Sequence, residues 1–182
     1  MAHIRLALPC LAQAMRFPIL GSLLLSACAA TQVPSPADVR PHYKRPNLLV
    51  ADMERSLSLY VDVLGFEAAP VSESSADSFS YPVFKIPREG RMRYTYLGEP
   101  GEARVFGLTE VRGVEMEAVS DAPHRTGHVI GVDDLRGKLA RVSAMGLEAT
   151  EVKEAGGTEF RFLEVAFTDF DGHLIVLYEV LE

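Results

Sequence analysis

The sequence predicts an α+β fold in which one strand–helix–three-strand (βαβββ) module is used twice. Three observations carry this expectation. A stretch beginning at residue 50 recurs at residue 132, each copy holds an amphipathic helix between an acidic cap and a glycine, and three strand-like runs follow each helix.

The repeat comes first. Laying VADMERSLSLYVDVLGFEA (50–68) on VDDLRGKLARVSAMGLEA (132–149) pairs Val50 with Val132, Asp52 with Asp134 and Leu57 with Leu139. After a one-residue slip, Gly65-Phe66-Glu67-Ala68 falls on Gly146-Leu147-Glu148-Ala149. In the first copy Asp52 caps a helix whose apolar stripe is Leu57, Tyr60, Val61 and Leu64, and Gly65 suits its C-terminal stop. In the second, Asp133 or Asp134 caps, Leu135, Leu139 and Val142 form the stripe, and Gly146 ends it. Strands are expected at Phe66–Val71, Arg91–Leu97 and Arg104–Arg112 in module one, and at Leu147–Val152, Glu159–Thr168 and His173–Leu181 in module two. Between the first two of these, SESSADSFSYPVFKIPREG is polar, then aromatic, and reads as an inserted loop or partial strand.

Of the 182 residues, 48% are hydrophobic, enough for one domain with a continuous core, and the formal charge of −7 comes without a basic stripe. Nucleic acid is therefore excluded as an expected partner. Residues 17–27 (FPILGSLLLSA) follow Arg16, contain no acid and end in small residues, as a secretory h-region does, and they are too short to span a bilayer. LSAC, ending at Cys28, resembles the lipobox of bacterial lipoproteins. That resemblance implies a signal peptide over 1–27, lipidation of Cys28 by fatty acyl groups such as palmitate, and a Pro-rich tether over 28–43. It also places the mature chain in the cell envelope, on the periplasm-facing side of the outer membrane, held to the membrane by the lipid alone. The only other cysteine, Cys10, lies in the removable segment, so the mature chain has no disulfide to make.

The folded part is expected over 44–181, with module one at 44–112 and module two at 124–181. VADMERSLSLYVDVLGF and the closing VAFTDFDGHLIVLYE, with its DFDG turn, resemble the vicinal oxygen chelate superfamily of glyoxalases, bleomycin-resistance proteins and extradiol dioxygenases. The resemblance implies two βαβββ modules whose mixed sheets are cupped around a site. It leaves function open, because one fold hosts many chemistries. Enzymes of this superfamily hold a divalent metal through His or Glu on four strands, and the metal acts as a Lewis acid on the substrate. Transferred by position, those four places are Arg45, Gly107, Gly127 and Val176, none of which can ligate a cation. No cofactor is expected. Glu110 and His128 stand close to two of the positions but one strand face away, and are read as satisfied polar residues. His124 and His128 are four apart, a spacing that binds metal only on a helix, and HRTG is turn-like; His42 and His173 are read as solvated.

At the parity of those positions, the inner face would carry Arg45, Asn47, Leu49, Val105, Gly107 and Thr109 from module one. Module two would add Gly127, Val129, Gly131, Leu174, Val176 and Tyr178. The expected cavity is mainly apolar, with the two glycines making room. Its candidate ligand-binding residues are Arg45, Asn47, Thr109, Val129, Val176 and Tyr178. Three readings follow: a metal-independent binder of a small organic ligand, with Arg45 meeting an anionic one; a metal-dependent lyase or dioxygenase with displaced ligands; and an envelope protein-interaction module. The cup would form within one chain or across a homodimer.

Overall fold

The computed structural model describes residues 43–116, 124–157 and 160–181. The signal peptide, Cys28 and the tether as far as His42 lie outside the described residues.

Module one opens with β1 (Asn47–Val50), followed by helix α1 (Met53–Leu57), which runs on as a π-helical stretch over Ser58–Val63. Asp52 caps α1 by accepting the Arg55 N–H at 2.9 Å. The wide turn, marked by Leu64 N–H donating to Leu59 O at 3.0 Å, shifts the helical phase. Leu59 and Val63 are therefore buried, while Leu57 and Val61 are only partly covered; the regular 3.6-residue stripe misassigned both pairs. The chain continues through β2 (Glu67–Ala68), β3 (Ser72–Glu73), α2 (Ser80–Phe84), β4 (Arg91–Glu99) and β5 (Glu102–Arg112). Of the expected strand at Phe66–Val71 only β2 forms; β3 lies just beyond it, and both pair with β4.

Module two repeats the plan with β6 (Gly127–Gly131), α3 (Leu135–Ala144), β7 (Lys153–Gly156), β8 (Arg161–Thr168) and β9 (Leu174–Leu181). Asp134 is the cap used, accepting Gly137 N–H at 3.1 Å. Leu147–Val152 is not a strand: Leu147, Ala149 and Val152 pack on the core, and Ala149 makes a single bridge to Phe167. The strand begins at Lys153 instead.

Each module makes one mixed sheet with the same connectivity: β1-β5-β4-β2 and β6-β9-β8-β7, the first strand parallel to the last. Alternate residues divide the faces. On one face Leu48, Val50, Phe106 and Leu108 of sheet one, and Ile130, Val165, Ile175 and Leu177 of sheet two, join residues of α1 and α3 in one core spanning both modules.

The duplication reaches single hydrogen bonds. Glu110 of β5 accepts the Met53 N–H at the start of α1 (2.9 Å), and Glu179 of β9 accepts the Leu135 N–H at the start of α3 (2.9 Å). Met53 and Leu135 are equivalent in the repeat, so Glu110 and Glu179 are too. Counting back three residues makes Gly107 equivalent to Val176. Each glutamate satisfies an orphan donor at a helix N-terminus and sits at its positive end.

The DFDGH turn locks module two onto module one. Tyr60 Oη donates to Asp169 Oδ2 at 2.8 Å, and Asp169 Oδ1 accepts the N–H groups of His173 (2.8 Å) and Asp171 (3.0 Å). Asp171 Oδ1 accepts Ala51 N–H at 2.9 Å, and His173 Nε2 donates to Leu49 O at 2.8 Å. Gly172, with φ +89°, allows the tight turn that aims these groups at module one. The motif is therefore structural, and His173 is half-buried in this lock rather than solvated.

Candidate functional site

On the face of sheet one opposite the core, two environments lie side by side. At one end Met92 and Val111 pack under Tyr81 and Ile86 of the 74–90 segment, with Tyr81 Oη donating to Gly90 O at 3.0 Å. The inserted segment is thus a cover held by its own small core. At the other end the cover stands off the sheet and leaves a cavity of about 710 Å³. Asn47 and Thr109 form part of the sheet wall with Tyr94 and Tyr96, and Ser74, Ser75, Ser78 and Ser80 line it from the cover. Lys44 and Arg45 also contribute.

Within this site, Arg45 lies with its guanidinium 4.4 Å from the centre of the Tyr96 ring, a cation–π contact that holds the side chain while leaving its N–H donors for other partners. Asn47 Nδ2 donates to Thr109 Oγ1 at 3.0 Å. Gly107 makes that pair possible: a Cβ there would collide with Asn47 Oδ1. The room at Gly107 is therefore filled by the Asn47 amide rather than left open. At Gly127 an added Cβ would come within 3.2 Å of Leu174 Cδ2, so the second glycine is likewise closely approached. The cavity is also polar, where a mainly apolar one was expected. Serines of the cover account for the difference.

The structure divides the six candidate binding residues. Arg45, Asn47 and Thr109 line the same cavity, which takes no residue from sheet two. Val129, Val176 and Tyr178 lie on the corresponding face of sheet two, paired in register as Val129 with Val176 and Gly131 with Tyr178. Among the described residues that face carries no inserted cover, and Val129 is 67% exposed. Tyr178 packs on Phe162 with ring centres 5.1 Å apart, and Phe160 extends the row at 5.6 Å. Among the described residues, then, the two sheets do not line one cavity within this chain; the sequence leaves the cup open between one chain and a homodimer.

The cavity residues that the sequence did not single out are Lys44, Glu73, Phe84, Tyr94, Tyr96 and the serines. Tyr94 and Tyr96 could have been found from strand alternation, because β4 pairs Tyr94 with Thr109 and Tyr96 with Gly107. The serines could not, since their placement depends on how the cover docks.

At the four positions transferred from the resemblance, the side chains do not offer a cation ligands. Arg45 is a cation engaged with Tyr96, Gly107 lies beneath Asn47, Gly127 has no donor atom and Val176 is apolar and on the other sheet. Asp52, Glu54 and Glu110 do bring carboxylate oxygens within 4.8 Å of one another. Their atoms are already engaged: Glu110 takes Arg93 Nε at 2.5 Å, Arg93 Nη2 at 2.8 Å and Arg112 Nε at 3.1 Å, besides the Met53 N–H. Glu54 takes Arg93 Nη2 at 2.6 Å, and Asp52 caps α1. The hydrogen bonds from Arg93 hold the Glu110 carboxyl below its ordinary range, as a charge-paired carboxylate should be. His128 is half-buried, edge-on to Phe106 with ring centres 5.8 Å apart, and burial pushes its imidazole below the usual value, with His173 adding to the effect.

Comparison with known proteins accords with this architecture. The sequence profile of the Glyoxalase/Bleomycin resistance protein/Dioxygenase superfamily matches residues 41–177. A glyoxalase family protein from Bacillus cereus superposes with a TM-score of 0.63 at 14% identity, over 82% of this chain and 100% of that one. A glyoxylase/bleomycin resistance protein/dioxygenase domain from Frankia gives 0.53 at 17% identity, over 79% and 95%. The fosfomycin resistance protein FosX of Listeria monocytogenes, in complex with Mn(II) and sulfate, gives 0.50 at 15% identity, over 78% and 93%. No curated protein matches by sequence. At these identities the structural likeness speaks to the fold alone. The profile match covers most of the chain, and the chain belongs to the glyoxalase/bleomycin resistance protein/dioxygenase superfamily.

Proposed function

We propose that this chain is a metal-independent binding protein of the cell envelope, lipid-anchored at Cys28, that holds a small organic anion in the cavity over sheet one. The observation that carries the reading is the Arg45 guanidinium held on Tyr96 at the wall of the cavity. A guanidinium offers two parallel N–H donors, so it can grip two oxygens of one anion as a metal would, without Lewis-acid activation. Among the described residues no hydrogen bond joins a cavity serine hydroxyl to Lys44 or Glu73, and Glu73 is paired with Arg112. The test is a thermal-shift panel of benzoate, citrate and phenylphosphonate on wild type and Arg45→Gln. Stabilisation of wild type that is lost in the variant is expected; no stabilisation by any anion overturns the reading. The enzymatic alternative would need a displaced metal using Glu110 or His128, and Glu110 is already taken by Arg93 and Met53. Stoichiometric manganese, zinc, nickel or iron in protein purified without an affinity tag would restore it.

The interaction reading has one observation of its own. Val129, Phe160 and Val180 are exposed, with Phe162 and Tyr178 among them, on a sheet face that in module one is covered. A second copy is the occupant this reading offers for that face, and sedimentation equilibrium of wild type against Val129→Glu checks it: a dimer that dissociates in the variant is expected, and a monomeric wild type refutes it.

A further inference from the structure

The polarity of the cavity narrows the ligand further, and this step rests on the anion-binding reading above. We propose that the ligand is an acidic carbohydrate, a sugar or short glycan bearing a carboxylate or phosphate. A sugar ring has a rim of hydroxyls and a C–H face, and the walls match that division. Ser74, Ser75, Ser78 and Ser80 line the cavity from the cover, while Tyr94 and Tyr96, whose rings meet edge-on at 5.6 Å, line it from β4. Hydroxyls both donate and accept, so serines suit a partner whose own groups do the same. The Tyr94 ring offers apolar surface, the Tyr96 ring holds Arg45 and Arg104, and both phenol groups add polar tips.

Cations outnumber carboxylates in the lining. Lys44 and Arg45 are the cavity's cations, and its one carboxylate, Glu73, is paired with Arg112 at 3.0 Å. The Asn47 amide is already turned to Thr109 Oγ1 through one N–H and retains further donor and acceptor capacity beside the cations. An apolar acid could satisfy Arg45 but would offer nothing to the half-buried serine hydroxyls of the cover, and a site built to hydrogen-bond a ligand discriminates against analogues lacking those groups. A neutral sugar would leave the two cations unmatched. The cavity, at about 710 Å³, accommodates more than one sugar ring.

Isothermal titration of the mature chain with glucuronate, glucose 6-phosphate, glucose and phenylacetate separates the alternatives. The expected result is that at least one acidic sugar binds about tenfold or more tightly than both glucose and phenylacetate (~1.4 kcal/mol). Arg45→Gln should remove that preference over glucose, and Ser74→Ala with Ser80→Ala should weaken the acidic sugar without weakening phenylacetate. Phenylacetate binding as tightly as glucuronate overturns the carbohydrate assignment and leaves the anion site standing. Glucose binding as tightly as both acidic sugars overturns the requirement for an acid. Failure of all three acids to bind overturns this inference and, with a silent thermal-shift panel, the reading beneath it. Circular dichroism of the serine double variant confirms that any loss is not unfolding.

Discussion

Replacing Glu110 by Gln removes a charge from a side chain that is only 4% exposed and holds three partners, Arg93, Arg112 and the Met53 N–H. Gln has nearly the same shape but keeps a single acceptor oxygen. If that oxygen stays on Met53, its amide N–H groups face the Arg93 fork, donor against donor. If it turns to Arg93, the first N–H of α1 is orphaned. Breaking a buried pair costs about 3–5 kcal/mol. Arg93 keeps Glu54 and is partly exposed, so about 2–3 kcal/mol is expected here. The equivalent change, Glu179→Gln, disturbs one described bond, to Leu135 N–H, which the Gln carbonyl can still accept, and should cost about 0.5 kcal/mol. Urea unfolding at pH 7 reads both, as a lower midpoint at unchanged slope. The pH dependence gives a second signature. The folded Glu110 carboxyl lies below its ordinary value of 4.5, so its contribution is present above that pH and fades as pH falls through the folded value. The gap between wild type and Glu110→Gln should hold from pH 7 to 5 and narrow in stronger acid. Equal costs for the two substitutions would refute the reasoning.

Three other changes follow from the same contacts. Gly107→Ala would evict the Asn47 amide and break its bond to Thr109, costing about 1–2 kcal/mol in urea unfolding and weakening anion binding together; a variant that binds as wild type would separate Asn47 from the site. Tyr60→Phe removes the buried hydroxyl donating to Asp169 and should cost about 1.5–3 kcal/mol, with unchanged stability showing that the lock between modules does not depend on it. Because the unfolded His128 imidazole takes up a proton near pH 6.5 and the folded one only at lower pH, stability should fall between pH 7 and 5. His128→Asn should flatten that part of the profile, and an unchanged slope would count against it.

Much of the fold was legible because its signals are local. Asp52, Asp134, Gly65 and Gly146 mark the helix ends, and Gly172 marks the closing turn, each through backbone conformations that short stretches of sequence specify. The equivalence of Arg45 with Gly127 was likewise contained in the repeat, whereas that of Gly107 with Val176 needed the matching bonds of Glu110 and Glu179. What was not legible depends on distant partners. The π-helical turn after Leu57 moved Leu59 and Val63 inward against a periodic expectation. Leu147–Val152 has strand-like composition, yet its apolar residues are used as core anchors before the strand begins at Lys153. The 72–90 segment offered no periodicity. Its role as a cover comes from Tyr81 and Ile86 meeting Met92 and Val111, and from that docking comes the serine wall of the cavity. Strand parity named Arg45, Asn47 and Thr109, but it could not tell that sheet two contributes nothing to that cavity.

The central claim is that Arg45 and the polar cavity bind an organic anion without a metal. It is tested most directly by isothermal titration of glucuronate into protein stripped with excess EDTA, with and without added manganese. One site per chain and the same affinity in both conditions is the predicted result. Binding that appears only when manganese is restored would contradict the account.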